Sequence, residues 1–145
     1  MAELLLRKLL ACRERIERIR NSLPRHAADV LADDRLEAFL SFHIFLLIQD
    51  LSDIANHLVA AKGLGVPSSQ RESFLSLSRA AIISEESALA MAAAAGLRNR
   101  IAHSYGEVDP IRLVQEAPTG LAAIERFLDQ VTPAVAALGG DGGGS

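Results

Sequence analysis

The sequence predicts an all-α protein, an up-and-down bundle of about five helices. Apolar residues recur at helical spacing, capping residues and prolines punctuate the chain at intervals suited to helices, and no run alternates apolar and polar residues as a strand would. With 145 residues, half of them apolar, the chain is long enough for one well-buried core.

Leu5, Leu9, Cys12, Ile16, Ile19 and Leu23 recur at alternating steps of four and three, which makes one apolar stripe on a first helix. Pro24 ends it. A second, longer helix is expected from Asp34 to about Lys62, with Leu36, Leu40, Leu47, Leu51, Ile54 and Leu58 spaced for burial and Gly63 and Gly65 past its end. These two helices are expected to pair as an antiparallel hairpin. Ser69 with Glu72 three residues on reads as a capping box, each side chain satisfying a backbone amide at the start of a short third helix. An alanine-rich fourth helix, without proline, is expected from Glu85 to about Ser104, with Gly106 available to stop it. Asp109 before Pro110 starts a fifth helix, which Pro118 and Pro133 are expected to kink or break. Residues 1–138 read as one helical domain and the glycine-rich 139–145 as a flexible tail.

A net charge of −3 speaks against a protein that coats nucleic acid through its overall charge. Residues 1–25 nevertheless hold seven basic side chains against three acidic ones, a surplus of four. That stripe is either a solvated helix face or a meeting place for phosphate or an acidic partner. Cys12 is the single cysteine, which excludes an intramolecular disulfide and fits a reducing compartment. Arg7 and Lys8 interrupt the leading leucines too early for a signal peptide, and the longest apolar run elsewhere reads as too short to span a bilayer. A soluble, cytoplasmic protein without membrane association is the expectation. No Cys/His spacing suggests a metal, and no cofactor is called for.

The chemistry concentrates in RNRIAHSY, residues 98–105. Opening a ribose phosphodiester without a metal needs a group to take the 2′-hydroxyl proton, a group to protonate the departing 5′-oxygen, and positive charge for the crowded phosphate. His103 suits proton transfer because the unperturbed imidazole titrates near neutrality, and Arg98 stays charged and forks onto phosphate oxygens. Asn99 adds a polar anchor and Arg100 a second cation.

Here the sequence resembles the HEPN superfamily, whose signature is Arg, four to six residues, His, any residue, Tyr. Arg98, His103 and Tyr105 match it with four intervening residues, and Asn99 fits the common polar position after the arginine. More narrowly, residues 34 to about 130 resemble the HepT-like toxins. The resemblance implies a HEPN-type bundle acting as a homodimer, a metal-independent endoribonuclease, and a toxin paired with an MntA-like minimal nucleotidyltransferase antitoxin. It also implies catalysis by Arg98 and His103, support from Asn99, Arg100 and Tyr105, and silencing by AMPylation of Tyr105 to O-AMP-tyrosine.

Spacing adds a constraint on assembly. At 100° per residue, Arg98 and His103 stand about 140° apart round a continuous helix and cannot share a face. They converge if two copies meet across a two-fold axis, the favoured arrangement, or if the helix loosens near Ser104 and Gly106. A dimer supplies two histidines, one as base and one as acid, although water can serve on one side. Tyr105 either positions phosphate or is simply the point of control. Phe39, Phe42, Phe45, Leu46 and Leu47 cover more than one face of the second helix, so part of it meets another helix or subunit. Asp53 and His57, four apart, read as a local pair or as support behind the active site. His43 reads as a core or interface residue and His26 as a solvated one. Two other functions fit the same helices: a non-catalytic HEPN-like subunit that presents substrate to a nucleotidyltransferase, and a helical adaptor docking through its basic first helix.

Overall fold

Three of the helices begin where a side chain can accept hydrogen bonds from amides that have no partner in the first turn. Asp33 accepts from Leu36 N at 3.0 Å, Ser69 Oγ from Glu72 N at 3.1 Å, and Asp109 from Ile111 N at 3.0 Å. The computed structural model describes residues 2–103 and 107–143, and all of its regular elements are helical. They are α1 (Ala2–Ser22), α2 (Asp34–Ala61), α3 (Gln70–Arg79), α4 (Glu85–His103) and α5 (Pro110–Gly143), with a 3-10 turn at Ala27–Ala32 between α1 and α2. That turn carries no period long enough to read in advance. The capping box at α3 is half made, because Glu72 turns its carboxylate to Arg79 instead of back to the Ser69 amide.

The stripe expected on α1 is buried from Leu5 to Ile19, with Leu23 half-buried beyond it. α1 and α2 do pair antiparallel: Lys8 reaches Asp53 at 3.4 Å and Asp50 at 3.8 Å near one end, and Arg15 meets His43 at 2.6 Å toward the other. On its other flank α1 pairs with α5 through Arg13 to Asp129 at 2.8 Å and Arg20 to Glu125. Most of the N-terminal surplus of positive charge is therefore matched by acidic residues from other helices. Cys12 is fully buried in this layer, and burial foremost, with Asp50 adding to it, pushes its thiol up to about 12. A thiol held so far from its thiolate is unreactive at neutral pH.

Two helices depart from expectation. α5 runs unbroken through Pro118 and Pro133 to Gly143. Each interior proline costs about 3 kcal/mol in a free helix, but Leu113, Leu121, Ile124, Phe127, Leu128, Val131 and Val135 on the same helix are buried and hold it in line. The helix also continues past residue 138 into the glycines assigned to a tail, and Gly139 lies against Ala2 of α1. The second of them is α2. Its 28 residues are long and apolar enough to cross a bilayer by length and composition. In the bundle, however, Leu40, Leu47, Leu51, Ile54 and Leu58 are buried against the other helices, as suits the central helix of a core. Phe74 of α3 and Phe127 of α5 close that core edge to face, with centroids 5.6 Å apart.

Helix α3 ends on Ala81, whose φ of 61° lies in the left-handed region while Ile82 N bonds Leu77 O at 2.9 Å. A Cβ disfavours that conformation by about 1–2 kcal/mol relative to glycine. Ala81→Gly should therefore raise unfolding stability by up to about 1 kcal/mol in urea denaturation, since glycine's greater freedom when unfolded offsets part of the gain.

Candidate functional site

α4 is helical through His103, so the angular constraint on RNRIAH applies as written. Arg98 turns inward against α2. Its Nε donates to Gln49 Oε1 at 2.8 Å, its Nη1 donates to Asn99 Oδ1 at 3.1 Å, and its guanidinium lies 5.1 Å from the Phe45 ring centroid. A ring face under a guanidinium and a carbonyl on its Nε orient the fork without neutralising its charge. His103 is exposed on the last turn, on a face turned away from Arg98. Within one chain these two side chains are not brought together. Tyr105 lies outside the described residues.

Asn99 and Arg100 are both exposed. Arg100 borders a cleft of about 730 Å³ between α2, α4 and α5, walled by Leu47, Met91, Leu97, Leu113 and Ile124. The cleft arises where α4 presents Ala90, Ala93 and Ala94 to Gly120 of α5, whose Cα hydrogen faces open space. Neither Arg98 nor His103 lines it, so this cleft is not where the motif's two chemical groups stand.

Asp53 is engaged by Lys8 of α1 rather than by His57, which is half-buried one turn further along α2. No group of three or more His, Cys, Asp or Glu comes together as a cation site among the described residues. Gln49 and Phe45 are the residues that matter to Arg98 and that spacing did not single out for it. Gln49 is 49 positions away in sequence and carries no local signal.

His43 sits between α1 and α2, its ring 4.2 Å from Phe39 and 5.5 Å from Phe42. Arg15 can only donate, so His43 Nδ1 accepts and the neutral ring carries its proton on Nε2. Burial first, then Arg15 and Arg18, lower the His43 pKa below 6.5.

The model of the ribonuclease HepT-like family matches residues 12–131. The chain belongs to this family. The match starts inside α1, well before residue 34, so the likeness to the family takes in the first helix as well. The chain is similar to the mRNA nuclease HepT of Shewanella oneidensis, 33% identical over 79 residues that make up 54% of this chain and 59% of that one. It is also similar to the tRNA nuclease HepT of Aphanizomenon flos-aquae, 28% identical over 86 residues, 59% of this chain and 58% of that one. It thus spans somewhat under three fifths of the length of these curated relatives. In three dimensions the bundle is similar to the tri-AMPylated HEPN toxin of Shewanella oneidensis solved with its MNT antitoxin. The TM-score is 0.84 at 25% identity, over 92% of this chain and 99% of that one. A toxin–antitoxin complex with AMP-PNP shares the fold at a TM-score of 0.83 and 24% identity, over 90% and 98% of the two chains. The HEPN-type bundle expected from the motif is the fold found.

His43 gives this site's surroundings a pH dependence whose sign is fixed. A histidine with a lowered folded pKa binds more protons when unfolded, so its contribution is present above pH 6.5 and is lost as pH falls through the folded value. Stability measured by urea should fall on acidification below about pH 6.5. His43→Asn, which keeps an acceptor for Arg15 but does not titrate, should flatten that limb.

Proposed function

We propose that the chain is the toxin of a toxin–antitoxin pair and a metal-independent endoribonuclease. The observation that carries this reading is the family match over residues 12–131, which contains both Arg98 and His103, together with the oriented guanidinium of Arg98 at the end of α4. The relatives are named as nucleases of mRNA and tRNA, which supports RNA as the substrate class.

The reaction needs no group beyond these side chains. A base, an imidazole or a water held by it, takes the 2′-hydroxyl proton, and the 2′-oxygen attacks phosphorus. The bond from phosphorus to the 5′-oxygen breaks, and an acid protonates that oxygen, leaving a 2′,3′-cyclic phosphate and a free 5′-hydroxyl. Arg98 balances the charge gathering on the phosphate oxygens and His103 moves the protons. Asn99 holds one side of the Arg98 fork, and Arg100 adds positive charge on the exposed side of α4. Because the two catalytic side chains diverge within one chain, the active form is a homodimer whose two copies pool them.

Control follows the same stretch. An MntA-like nucleotidyltransferase antitoxin transfers AMP from ATP to the Tyr105 hydroxyl and releases pyrophosphate, which adds bulk and negative charge two residues from His103. A HEPN toxin of this fold is tri-AMPylated in complex with an MNT antitoxin, which supports the pairing. The chain would act in the cytoplasm, where its RNA targets and a reduced Cys12 belong together.

In the presence of a chelator, the purified protein should cut RNA. His103→Ala and Arg98→Ala should each slow cleavage by at least about 100-fold, and Arg98→Lys should not rescue it because a point charge cannot replace the fork. Expression of the wild type without its antitoxin should arrest growth and either alanine variant should relieve the arrest. Undiminished cleavage by His103→Ala would overturn the assignment.

A further inference from the structure

Helical spacing ties the cleft between α2, α4 and α5 to the motif. Leu97, Arg100 and His103 follow one another at three-residue steps, each turning about 60° round α4 and rising about 4.5 Å. Leu97 belongs to the cleft wall, Arg100 borders its mouth, and His103 stands exposed one step beyond. A group seated in the cleft and leaving past Arg100 therefore emerges within one turn of the histidine.

The cleft suits a flat, largely apolar group. Its volume, about 730 Å³, falls among small-molecule sites, which run from roughly 300 to 1,000 Å³. Gly120 keeps one wall low, since a Cβ there would meet no heavy atom within 4 Å. The rim is polar and carries more acid than base: Glu107, Asp109 and Glu116 against Arg100 and Arg112. An acidic excess repels phosphate, so the part of an RNA strand that fits here is a base.

Two rim side chains stand out. No carboxylate among the described residues pairs with Arg100, whose Nη1 lies 3.8 Å from the point a Cβ on Gly96 would occupy. Its guanidinium plane is free to cover a base face. Glu116, one turn before Gly120 on α5, is held at one oxygen by Arg112 Nε at 2.9 Å, which steadies the carboxylate without using up its lone pairs. A carboxylate accepts and never donates. Guanine alone among the four bases presents two neighbouring donors, N1–H and the exocyclic amine, to both oxygens of one carboxylate. Uracil sets its N3–H between two carbonyls, and adenine and cytosine each set a ring acceptor beside the amine.

We infer that the cleft is a guanine subsite for the RNA strand, with Arg100 over the base face and Glu116 accepting from N1–H and the exocyclic amine. The inference rests on the ribonuclease reading and gives it a sequence preference: a guanosine at one fixed position beside the cut. Arg98 and His103 act on the phosphate, and Arg100 and Glu116 choose which phosphate reaches them.

The purified full-length protein is given single-stranded RNA of mixed sequence, and the cuts are mapped through their new 5′-hydroxyl ends. Guanine should be favoured over uracil at one position next to the cut by about 10-fold or more. Cuts without base preference would overturn the subsite. Glu116→Gln, a change of one atom at an exposed position, leaves the fold intact and gives the rim an amide that donates as well as accepts, so the preference should fall about 10-fold. Gly120→Leu enters open space and fills the cleft; it should remove the preference and raise KM for a guanine-containing strand about 10-fold. A preference unchanged in Glu116→Gln would count against the assignment even if Gly120→Leu failed to fold.

Binding is read apart from cleavage. A short 2′-deoxy oligonucleotide lacks the attacking hydroxyl and stays uncut, and Met91 in the cleft wall shares the chain with just one other methionine, Met1. The Met91 methyl resonance should shift on titration with a strand containing one guanine and stay put when thymine replaces it. That shift in a protein that cuts no RNA overturns the ribonuclease reading and leaves the subsite standing. RNA cleavage with an unmoved Met91 overturns the subsite alone, as does a Met91 shift that follows protein concentration instead, the mark of a second copy in the cleft.

Discussion

A rigid, unbroken last turn of α4 keeps Arg98 and His103 on different faces, and the remainder of the site is organised around that separation. Arg98 cannot swing toward His103 without leaving Gln49 and the Phe45 ring, and an α-helix offers no cheap way to rotate one residue about its axis relative to another five positions away. The pair is therefore half of something. In the homodimer proposed above, two chemical groups with complementary duties, fixed apart within one subunit, are united by symmetry.

α2 is the element that connects the fold to this arrangement. Its buried side contributes Leu40, Leu47, Leu51, Ile54 and Leu58 to the core, so its position is set by packing from several directions. Its outer edge holds Arg98 on one flank and Arg15 with His43 on the other. The core thus fixes α2, and α2 fixes the guanidinium. The same logic accounts for the N-terminal charge: Lys8, Arg13 and Arg20 face acidic residues of α2 and α5, and so serve the bundle more than any polyanion.

Local chemistry was the most readable part of the sequence. The starts of α3 and α5 rest on contacts spanning two or three residues, and Ser69 and Asp109 make them as expected. The buried stripe of α1 follows equally from spacing alone. What could not be read depends on distant neighbours. Pro118 and Pro133 look like breaks until the core around α5 is assembled, and Asp53 looks like a partner for His57 until α1 delivers Lys8. Gln49, 49 positions from Arg98, is visible only in the folded chain. The motif itself was readable as a set of residue types, while its division between two faces of α4 became a structural fact only once the helix was seen to persist through His103.

Complementation between inactive chains is the most direct test that the active site is shared. Arg98→Ala and His103→Ala protomers, each inactive as a homodimer, are mixed, allowed to exchange and assayed for RNA cleavage. If one copy supplies Arg98 and the other His103, random exchange yields mixed dimers with one intact site, and about a quarter of wild-type activity should return. A mixture that stays as inactive as its components, with exchange verified by mass spectrometry, would contradict the shared site.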